Sequence, residues 1–510
     1  MEPLRESLFD IGPPPACSAR FNMAAHTLAA ARATPAKTAL IVTAGTGEVT
    51  ERWSFAELEE AVRRTAGGLR AAGIAPGDRV LLRIANSSDF PIAFFGTVAV
   101  GAIAVPSSTE LTPGELARLI AETKPALLLY AGVAPPEAPC PVLPAAALRE
   151  AAQAEMAETS ADDPAFLVAT SGTGGQPKGV LHAHRAAHAR RMMWAGWFGL
   201  GAADRVLHAG AFNWTYTLGA GLTDPWAAGA TAIIHTGAKT PDLWPRLLSE
   251  QEATIFAAVP GVFRQMLRAP LPPLPALRHG LTAGEKLHAE VRAGWEAATG
   301  TALYEALGMS EVSTYISASP EVPVRPGTSG RPQAGRRVAI LAEHGPEPVP
   351  IGTLGRLAVH RRDPGLMLGY WQRPEETAAA FDGDWFVTGD RAEMDAEGYV
   401  TYHGRLDDVL TAQGFRIAPL EIEEALAAHP GVAEAAALEV EVRAGVRIIV
   451  ALYVPAGPAD HESLSALCAA RLARYKCPRE FRATGRLPRT ANGKLIRRAL
   501  PALWAETEAT

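Results

Sequence analysis

Thr170-Ser-Gly-Thr-Gly-Gly-Gln-Pro-Lys-Gly179 is the stretch of this 510-residue chain from which fold and chemistry are most readily inferred. It holds three hydroxyl side chains, four glycines and one lysine, and it directly follows an apolar run at residues 165–169. Glycines let backbone N–H groups surround an anion, hydroxyl groups add donors, and a lysine adds positive charge. A buried strand followed by such a loop predicts an α/β protein that binds a triphosphate.

Two common phosphate-binding motifs do not fit this glycine-rich loop (residues 170–179). It has neither the GxxxxGK[ST] pattern of Walker loops nor the GxGxxG pattern of dinucleotide-binding folds. A flexible glycine–serine linker is the plain alternative, because such linkers have a similar composition. The strand before the loop and Lys178 within it favour a phosphate-binding loop over a linker.

The chain up to about residue 400 alternates between helical and strand patterns. Ser54 and Glu57 form a capping box, and the helix that they open is expected to end near Gly73. Residues 90–105 predict a buried helix and a strand, because 16 residues interrupted by proline and glycine are too few to span a membrane. Further buried strands are predicted at residues 78–84, 126–130, 231–235 and 254–258. The alternation predicts parallel or mixed sheets covered by helices.

Toward the C-terminus the pattern changes. Short strands at 337–341 and 355–360, separated by glycine and proline, predict a small β subdomain over about residues 330–403. We place a domain boundary between 403 and 404, so that residues 1–403 form a large domain and residues 404–510 a small α+β domain. In the small domain we expect a helix, a strand and a second helix, at 419–428, 446–454 and around 464–472.

Composition and charge exclude several classes of function. A net charge of −6 excludes nucleic acid and an anionic membrane as the main partner. The cysteines form no CxxC pair, as in cytosolic proteins with reduced thiols; they are Cys17, Cys140, Cys468 and Cys477. The first residues lack a basic segment followed by an apolar one, so no secretory signal is evident. We therefore expect a cytoplasmic protein without a membrane span.

The glycine-rich loop resembles the [ST]SGTTGxPKG signature of the adenylate-forming superfamily, which includes acyl-CoA synthetases, non-ribosomal peptide adenylation domains and luciferases. The resemblance extends over about residues 25–500 and implies ATP as a substrate. It implies a catalytic role for Lys178, and it assigns the ATP phosphates to Thr170, Ser171, Gly172, Thr173, Gly174, Gly175 and Lys178. Gly175 stands beside Gly174 where the family commonly has threonine followed by glycine, so slightly altered phosphate contacts are expected.

A second match, at residues 305–311, resembles the family's xGYGxTE segment. The resemblance implies that Ser310 touches phosphate and that the catalytic Glu311 holds a Mg²⁺ ion bridging the phosphates. The other ATP-binding residues implied here are Glu305, Ala306 and Leu307, with Gly284 and Glu285 from an earlier segment. Leu307 stands where the family usually offers an aromatic ring to adenine, so modestly weaker ATP binding is expected. Without the resemblance, Glu311 would be interpreted as a solvated carboxylate at a helix start.

Two further segments resemble the family's W[FY]xTGD and YxGRxDD patterns, at residues 385–390 and 402–408. The resemblance implies that Asp390 accepts hydrogen bonds from both ribose hydroxyls, and that Tyr402 and Arg405 also bind ATP. It makes Asp407 the hinge about which a mobile C-terminal domain turns. Taken alone, Asp390 equally fits a cap of a turn after glycine, and the second segment fits a charged linker.

The last match, Leu487-Pro-Arg-Thr-Ala-Asn-Gly-Lys494, resembles the family's LPRTxxGK. It implies that Lys494 reaches the substrate carboxylate and the α-phosphate, where it neutralises the charge that builds as two anions meet. The arginines around it fit a solvated basic face equally well. The turn at 411–419 is similar to that of aryl- and medium-chain acyl-CoA ligases, and the resemblance places coenzyme A against Gly414 and Phe415.

Residues 212–226 resemble the acyl-pocket region of medium-chain and benzoate-type ligases. The resemblance implies a substrate pocket lined by Trp214, Gly284, Gly308 and Met309. Gly284 would allow close approach of the acid, and Trp214 would gate or line the pocket; a core tryptophan on a helix explains Trp214 nearly as well. Relatives that activate amino acids have an aspartate at about the position of Asn213, so its absence disfavours amino acid substrates.

Three histidines, His182, His184 and His188, follow the loop closely and superficially suggest a metal cluster. No acidic or cysteine partner is evident beside them. We therefore expect them to pack near the loop or to face water.

We predict an ATP-dependent acid–thiol ligase that forms an acyl-CoA through an acyl adenylate and releases AMP and pyrophosphate. Its substrate is expected to be an aromatic, alicyclic or medium-chain carboxylic acid. Two alternatives stay open: an adenylating enzyme that loads a separate carrier protein, and a nucleotide-binding scaffold with decayed activity. The expected partners are the acid, ATP and coenzyme A, without nucleic acid. A homodimer and a lysine acyltransferase acting on Lys494 are additional hypotheses.

Overall fold

The computed structural model describes residues 3–135, 138–170, 178–405, 410–412, 415–417, 419–443, 446–472, 476–490, 493 and 495–507. Contacts within the chain divide it into two compact units. The larger unit comprises Phe9–Arg337 and His360–Asp384, and the smaller unit comprises Met1–Leu8, Val338–Val359 and Trp385–Thr510. Part of the predicted β subdomain is thus grouped with the C-terminal residues. The boundary predicted between residues 403 and 404 separates a large domain from a mobile one. It stays a prediction.

The glycine-rich loop belongs to a seven-stranded sheet of the larger unit. Its strands, in spatial order, are β19 (Gly369–Tyr370), β9 (Lys178–Ala183), β8 (Pro164–Thr170), β5 (Ile103–Ser107), β4 (Arg79–Arg83), β6 (Leu127–Tyr130) and β7 (Val142–Pro144). The strands from β8 to β7 are parallel, whereas β9 is antiparallel to both β8 and β19. The loop therefore joins two antiparallel neighbours instead of leading into a helix.

The larger unit also contains a nine-stranded sheet. Its strands, in spatial order, are β16 (Arg331–Pro332), β15 (Ser313–Ser317), β14 (Ala302–Met309), β13 (His279–Ala283), β12 (Ile255–Ala258), β10 (Arg205–His208), β11 (Thr231–His235), β2 (Thr38–Ala44) and β3 (Glu48–Ser54). The strands from β14 to β2 are parallel, and antiparallel strands complete both edges. The prediction of parallel or mixed sheets is confirmed.

The helices of the larger unit begin where the sequence supplies caps. Ser54 caps α3 (Phe55–Ala71), which ends before Gly73 at φ +82°, as predicted. The predicted buried helix is α4 (Asp89–Ala99). The other helices are α1 (Met23–Thr27), α2 (Ala30–Ala33), α5 (Pro113–Thr123), α6 (Arg185–Ala189), α7 (Arg191–Met193), α8 (Thr215–Leu218), α9 (Asp224–Ala227), α10 (Leu243–Glu250), α11 (Pro260–Met266), α12 (Ala289–Thr299) and α13 (Pro374–Ala379). Among the described residues, no helix has both the length and the hydropathy that crossing a membrane requires.

The smaller unit contains three sets of paired strands. The first set is β17 (Arg337–Leu341), β18 (Gly355–His360), β21 (Trp385–Met394) and β22 (Val400–Arg405). The others are the hairpin of β23 (Leu410–Ala412) and β24 (Phe415–Ile417), and the sheet of β25 (Val432–Arg443), β26 (Val446–Pro455) and β27 (Glu480–Ala483). The C-terminal α-helices are α14 (Pro419–Ala427), α15 (His461–Arg471) and α16 (Leu500–Glu506). The described residues also include the short strands β1 (Leu8–Asp10) and β20 (Phe381–Asp382) and short 3-10 or π-helical segments at Ala145–Glu150, Trp194–Phe198, Gly219–Thr223 and Arg497–Ala499. The two helices and the strand predicted for the C-terminal region are confirmed.

Burial lowers the pKa of eight histidines, most strongly in five of them. The pKa falls to about 4 for His26, His182, His184 and His279 and to about 3 for His208. His208 Nδ1 accepts a hydrogen bond from the Gly210 N–H at 2.9 Å, and His184 Nδ1 accepts one from the Met23 N–H at 3.0 Å. These imidazoles are therefore neutral in the fold near pH 7.

Acid should therefore destabilise the fold as the pH falls from about 6.5 toward 4. An unfolded histidine binds a proton near pH 6.5, whereas the buried ones resist protonation, so protons favour the unfolded chain. Each such histidine lowers the free energy of unfolding by about 1.4 kcal/mol per pH unit in this window. In His208→Asn, whose amide oxygen still accepts from Gly210, the fall in Tm between about pH 7 and about pH 5 should be smaller than in the parent protein.

Thermal unfolding followed by circular dichroism measures this difference. His344→Asn changes a histidine that is exposed and serves as the matched control. The same acid sensitivity in His208→Asn as in the control would contradict the neutral, buried state of His208.

Candidate functional site

The glycine-rich loop is anchored at both ends by the β8–β9 pair. Thr170 ends β8 and Lys178 begins β9, and the two residues are partners in the antiparallel register. The predicted phosphate-binding residues between them, Ser171, Gly172, Thr173, Gly174 and Gly175, lie outside the described residues, as does the side chain of Thr170. A loop whose ends are fixed this way suits the enclosure of an anion by backbone N–H groups.

Lys178 has an anionic neighbour in the larger unit. Its Nζ lies 2.6 Å from Oε2 of Glu376 on α13 and 5.0 Å from the centre of the Tyr370 ring. Glu376 also pairs with Arg373 at 3.0 Å, and the hydrogen bonds from Lys178 and Arg373 lower the pKa of its carboxyl. A phosphate that binds Lys178 must therefore exchange with, or join, the Glu376 carboxylate.

Glu311 lies in the turn between β14 and β15, so its interpretation as a helix-start carboxylate is wrong. The Tyr370 hydroxyl donates a hydrogen bond to Glu311 Oε1 at 3.0 Å, and the Met367 N–H donates to the Glu311 carbonyl at 2.7 Å. Nε2 of His182 lies 2.7 Å from the Ser310 carbonyl oxygen, to which the neutral ring donates its proton. The turn that carries both predicted phosphate-site residues is thus held from β9 and from the segment around β19.

Three predicted ATP-binding residues lie on β14: Glu305, Ala306 and Leu307, of which Leu307 was assigned to the adenine. The Glu305 carboxylate is buried, accepts a hydrogen bond from the Leu287 N–H at 3.0 Å and pairs with Arg292 at 3.2 Å. The Glu305 side chain therefore stabilises the segment that leads into α12. The contact of this strand with the adenine of ATP stays a prediction.

Gly308 and Met309, two of the predicted pocket residues, end β14 next to a β-bulge in its pairing with β15. A Cβ atom at Gly308 would lie 2.7 Å from the Ser313 carbonyl oxygen and 2.7 Å from the Thr314 Cα. Only glycine therefore allows the two strands to approach this closely.

The structure brings Trp214 and Gly284 into contact. Gly284 has φ +97°, and a Cβ atom there would lie 2.7 Å from Cη2 of Trp214. Trp214 directly precedes α8, is half-buried, and has its ring centre 5.2 Å from that of Tyr216 in an edge-to-face arrangement. Gly284 is itself exposed, and the indole beside it leaves no room for a side chain at this position. Glu285, predicted near the adenine, follows at a half-buried position.

A buried ion pair near the predicted acyl pocket was missed by the sequence analysis. Arg190 Nη2 lies 2.6 Å from Asp224 Oδ2, and burial raises the pKa of Asp224 while Arg190 opposes the shift. A Cβ atom at Gly219 would lie 2.0 Å from Arg190 Nη2, so glycine makes room for the guanidinium. A small pocket adjoins this pair, and its lining includes Phe166, His182, Arg190, Thr215, Leu218 and Ser313.

In the smaller unit, the predicted ribose-binding residues lie together on β21 and β22. Oδ1 of Asp390 is 3.3 Å from Arg405 Nη1 and 3.4 Å from the Tyr402 hydroxyl. β21 continues through Gly389, which has φ +77°, to Met394, so the interpretation of Asp390 as a turn cap is wrong. The arrangement orients a buried carboxylate, as binding a sugar diol requires, but ribose binding itself stays a prediction.

The predicted hinge Asp407, the predicted CoA contact Gly414 and the predicted catalytic Lys494 lie outside the described residues. Phe415, the second predicted CoA contact, begins β24 and pairs with Ala412 in the β23–β24 hairpin. The roles of all four therefore stay predictions.

Ion pairs fasten the chain on both sides of position 494. Arg489 pairs with Glu434 at 3.0 Å, and Arg497 pairs with Glu423 at 2.7 Å. The Glu423 side chain is buried and also accepts a hydrogen bond from the Ala437 N–H at 2.9 Å. These two arginines are structural, so the interpretation of this segment as a solvated basic face is wrong for them.

The histidines after the loop do not form a metal cluster. Among the described residues, no group of three or more His, Cys, Asp and Glu side chains could hold a metal ion. His182, His184 and His188 are buried, so they do not face water, and their packing near the loop stays a prediction. Mg²⁺ that is bound through phosphates needs only one or two protein carboxylates. Glu311, which lies in the turn between β14 and β15, therefore fits the role of a Mg²⁺ ligand.

Asp224, Tyr370 and Glu376 make contacts in or near the site that the sequence did not predict. Asp224 is the one charged residue in a long apolar run. Because a buried carboxylate requires a cation, this run indicated that Asp224 has a basic partner. Tyr370 and Glu376 carry no comparable signal, because their partners lie far away in the chain.

Comparison with known proteins places this arrangement in a family. The chain matches the model of the AMP-binding enzyme over residues 28–371 and that of the AMP-binding enzyme C-terminal domain over residues 421–494. A 3-hydroxybenzoate–CoA ligase from Aromatoleum sp. (strain CIB) is 31% identical over 474 residues, which cover 87% of this chain and 90% of that protein.

Solved structures of CoA ligases superpose on nearly the whole chain. The anthranilate CoA ligase AuaEII in complex with anthranoyl-AMP has a TM-score of 0.88 at 26% identity, and the match covers 97% of this chain and 99% of that one. A benzoate CoA ligase from Burkholderia xenovorans LB400 has a TM-score of 0.85 at 30% identity, with 94% and 99% covered. The predicted adenylate-forming resemblance, the α/β fold class and the use of ATP, Mg²⁺ and coenzyme A are confirmed. This chain belongs to the AMP-binding enzyme family and, within it, to the AMP-forming acyl-CoA ligases.

Proposed function

We propose that this ligase activates an aromatic carboxylic acid, with alicyclic and medium-chain acids as the next candidates. The main support for an aromatic acid is the position of Trp214, which contacts Gly284 and lies next to Tyr216. These two rings give the predicted pocket an aromatic, uncharged wall. Residue 213, beside Trp214, is an uncharged asparagine and would not pair with the ammonium group of an amino acid. The relatives described above are named for 3-hydroxybenzoate, anthranilate and benzoate, which supports an aromatic acid.

In the first half-reaction a carboxylate oxygen of the acid attacks the α-phosphorus of ATP. The bond from that phosphorus to its bridging oxygen breaks, and pyrophosphate leaves with the bonding electrons. Both reactants are anions, so the rate depends on positioning and on neutralisation of charge. We assign phosphate binding to Lys178, Ser310 and the glycine-rich loop, and ribose binding to Asp390 with Arg405. The fixed ends of the loop and the oriented Asp390 carboxylate support these roles.

Mg²⁺ bound to the phosphates adds further charge neutralisation to this step. We assign its protein ligand to Glu311, whose carboxylate already has a fixed hydrogen-bond donor in Tyr370. Lys494 is the second catalytic cation in the proposal, and it neutralises charge between the acid and the α-phosphate. Ion pairs hold Arg489 and Arg497, which lie on either side of position 494 in the sequence, within the same unit.

In the second half-reaction the sulfur of coenzyme A attacks the acyl carbon and forms a thioester, and the thiol proton passes to solvent. The bond from the acyl carbon to the phosphate oxygen breaks, and AMP leaves with the bonding electrons. We propose that residues 404–510 turn about Asp407 between the two steps, withdrawing Lys494 and presenting Gly414 and Phe415 to the thiol. Glycine at 414 would leave room for the pantetheine arm.

Three further proposals concern the cellular location of the enzyme, its modification and its oligomeric state. A cytoplasmic location is supported by the cysteines, all of which are described and none of which forms a disulfide. Acylation of Lys494 by a lysine acyltransferase is motivated by its setting six residues after Pro488. Mass spectrometry of the native protein that finds only unmodified Lys494 in all growth states would remove that proposal. A homodimer is retained as a hypothesis for analytical ultracentrifugation.

Acid-dependent exchange of labelled pyrophosphate into ATP tests the proposed substrate. Benzoates should support the fastest exchange in a panel that also contains cyclohexanecarboxylate, hexanoate and phenylalanine, and phenylalanine should support none. Trp214→Ala should slow exchange with benzoate about tenfold and admit bulkier aryl acids, because it removes the ring over Gly284. Trp53→Ala, on the edge strand β3, is the matched control.

Each other outcome of the panel points to a different conclusion. Exchange with phenylalanine as fast as with benzoate would contradict the aromatic-acid proposal. Exchange without formation of an acyl-CoA would favour loading of a carrier protein. No exchange with any acid would favour a nucleotide-binding scaffold with decayed activity.

Lys494→Ala should reduce adenylation by about 100-fold or more, because it removes a cation from the developing charge at the α-phosphate. The same variant should still form a thioester from a supplied acyl adenylate, because that step does not use Lys494. Single-turnover assays of each half-reaction make this measurement. Lys476→Ala is the matched control, since Lys476 pairs with Glu421 in the same unit. Equal losses in both half-reactions would count against domain alternation.

A further inference from the structure

Residues 367–371 form a strap that ties the Glu311 turn to β9. Three backbone N–H groups of the strap donate hydrogen bonds to carbonyl oxygens: Met367 to Glu311 at 2.7 Å, Leu368 to Leu181 at 2.8 Å, and Trp371 to Gly179 at 2.7 Å. The strap includes β19, in which Tyr370 pairs with Val180 of β9. Its backbone is therefore fixed to the strand that leaves the glycine-rich loop and to the turn that carries Glu311.

The Tyr370 side chain connects the two predicted charged groups of the phosphate site. Its hydroxyl donates a hydrogen bond to Glu311 Oε1 at 3.0 Å. The face of its ring lies 5.0 Å from Lys178 Nζ, within the range of a cation–π contact. One rigid side chain thus spans from the loop lysine to the carboxylate, on a backbone that the strap holds in place.

We propose that Tyr370 is a positioning residue that fixes the Glu311 carboxylate in the orientation required to bind Mg²⁺. This inference rests on the proposed role of Glu311. A glutamate carboxylate rotates broadly about its last torsion, and a donor attached to a rigid ring restricts that rotation. Mg²⁺ demands near-ideal octahedral geometry, so the orientation of a ligating carboxylate affects its affinity directly.

The second element of the proposal is His182, which holds the backbone next to Glu311. The neutral ring donates Nε2–H to the Ser310 carbonyl at 2.7 Å, and its face stacks on Phe166 with ring centres 4.8 Å apart. His182 lies on β9, the strand that begins at Lys178. The backbone and the side chain of the Glu311 turn are therefore oriented by two rings, one from β9 and one from β19.

Tyr370→Phe in the full-length protein tests the role of the hydroxyl, because phenylalanine keeps the ring next to Lys178. The Mg²⁺ concentration that gives half-maximal pyrophosphate exchange should rise about tenfold, the loss typical of one hydrogen bond to a charged group. Thioester formation from a supplied acyl adenylate should be unchanged, because it needs no bound triphosphate. Tyr130→Phe, on β6 of the same sheet, should show the parent's Mg²⁺ dependence in both assays.

Glu311→Gln, measured in parallel, separates the two hypotheses. If Glu311→Gln leaves the Mg²⁺ dependence unchanged, the proposed role of Glu311 fails. If Glu311→Gln raises the Mg²⁺ requirement and Tyr370→Phe does not, the inference about Tyr370 fails alone. Equal losses in both half-reactions of Tyr370→Phe would reveal a general structural role and would also overturn it. In the double variant, Tyr370→Phe should add nothing to the effect of Glu311→Gln, because both act through the same carboxylate.

Discussion

An acid and a nucleotide triphosphate repel each other, and an enzyme that joins them must hold positive charge where they meet. Lys178 stands at the end of the glycine-rich loop, and the carboxylate of Glu376 pairs with it at 2.6 Å. Their side chains are 30% and 40% exposed, so the pair is worth at most about 1 kcal/mol. A triphosphate can therefore displace it at little cost.

The rest of the phosphate site depends on strands that hold such groups at fixed positions. The loop closes an antiparallel pair, and Glu311 lies in a turn whose flanking strands approach closely at Gly308. Tyr370 and His182 then orient the side chain and the backbone of that turn. Positioning of this kind costs the enzyme no reorganisation when the nucleotide arrives, which is the main advantage of electrostatic preorganisation.

The sequence predicted the local parts of this architecture well. The capping box at Ser54 and the buried strands follow from periodicity and caps, which depend on residues a few positions apart. The pairing of Tyr370 with Glu311 joins residues 59 positions apart, and no local pattern encodes such a contact. Gly284 shows the same limit, because its residue type predicted close approach of the acid but not the contact with the indole of Trp214.

Crystallography of the protein with an ATP analogue that resists hydrolysis and with Mg²⁺ tests the central claim most directly. The account predicts triphosphate oxygens enclosed by the loop at 170–178, with Lys178 Nζ bonded to phosphate and the metal on Glu311. A triphosphate bound elsewhere, with the Lys178–Glu376 pair and the Tyr370–Glu311 hydrogen bond undisturbed and no metal at the carboxylate, would contradict it.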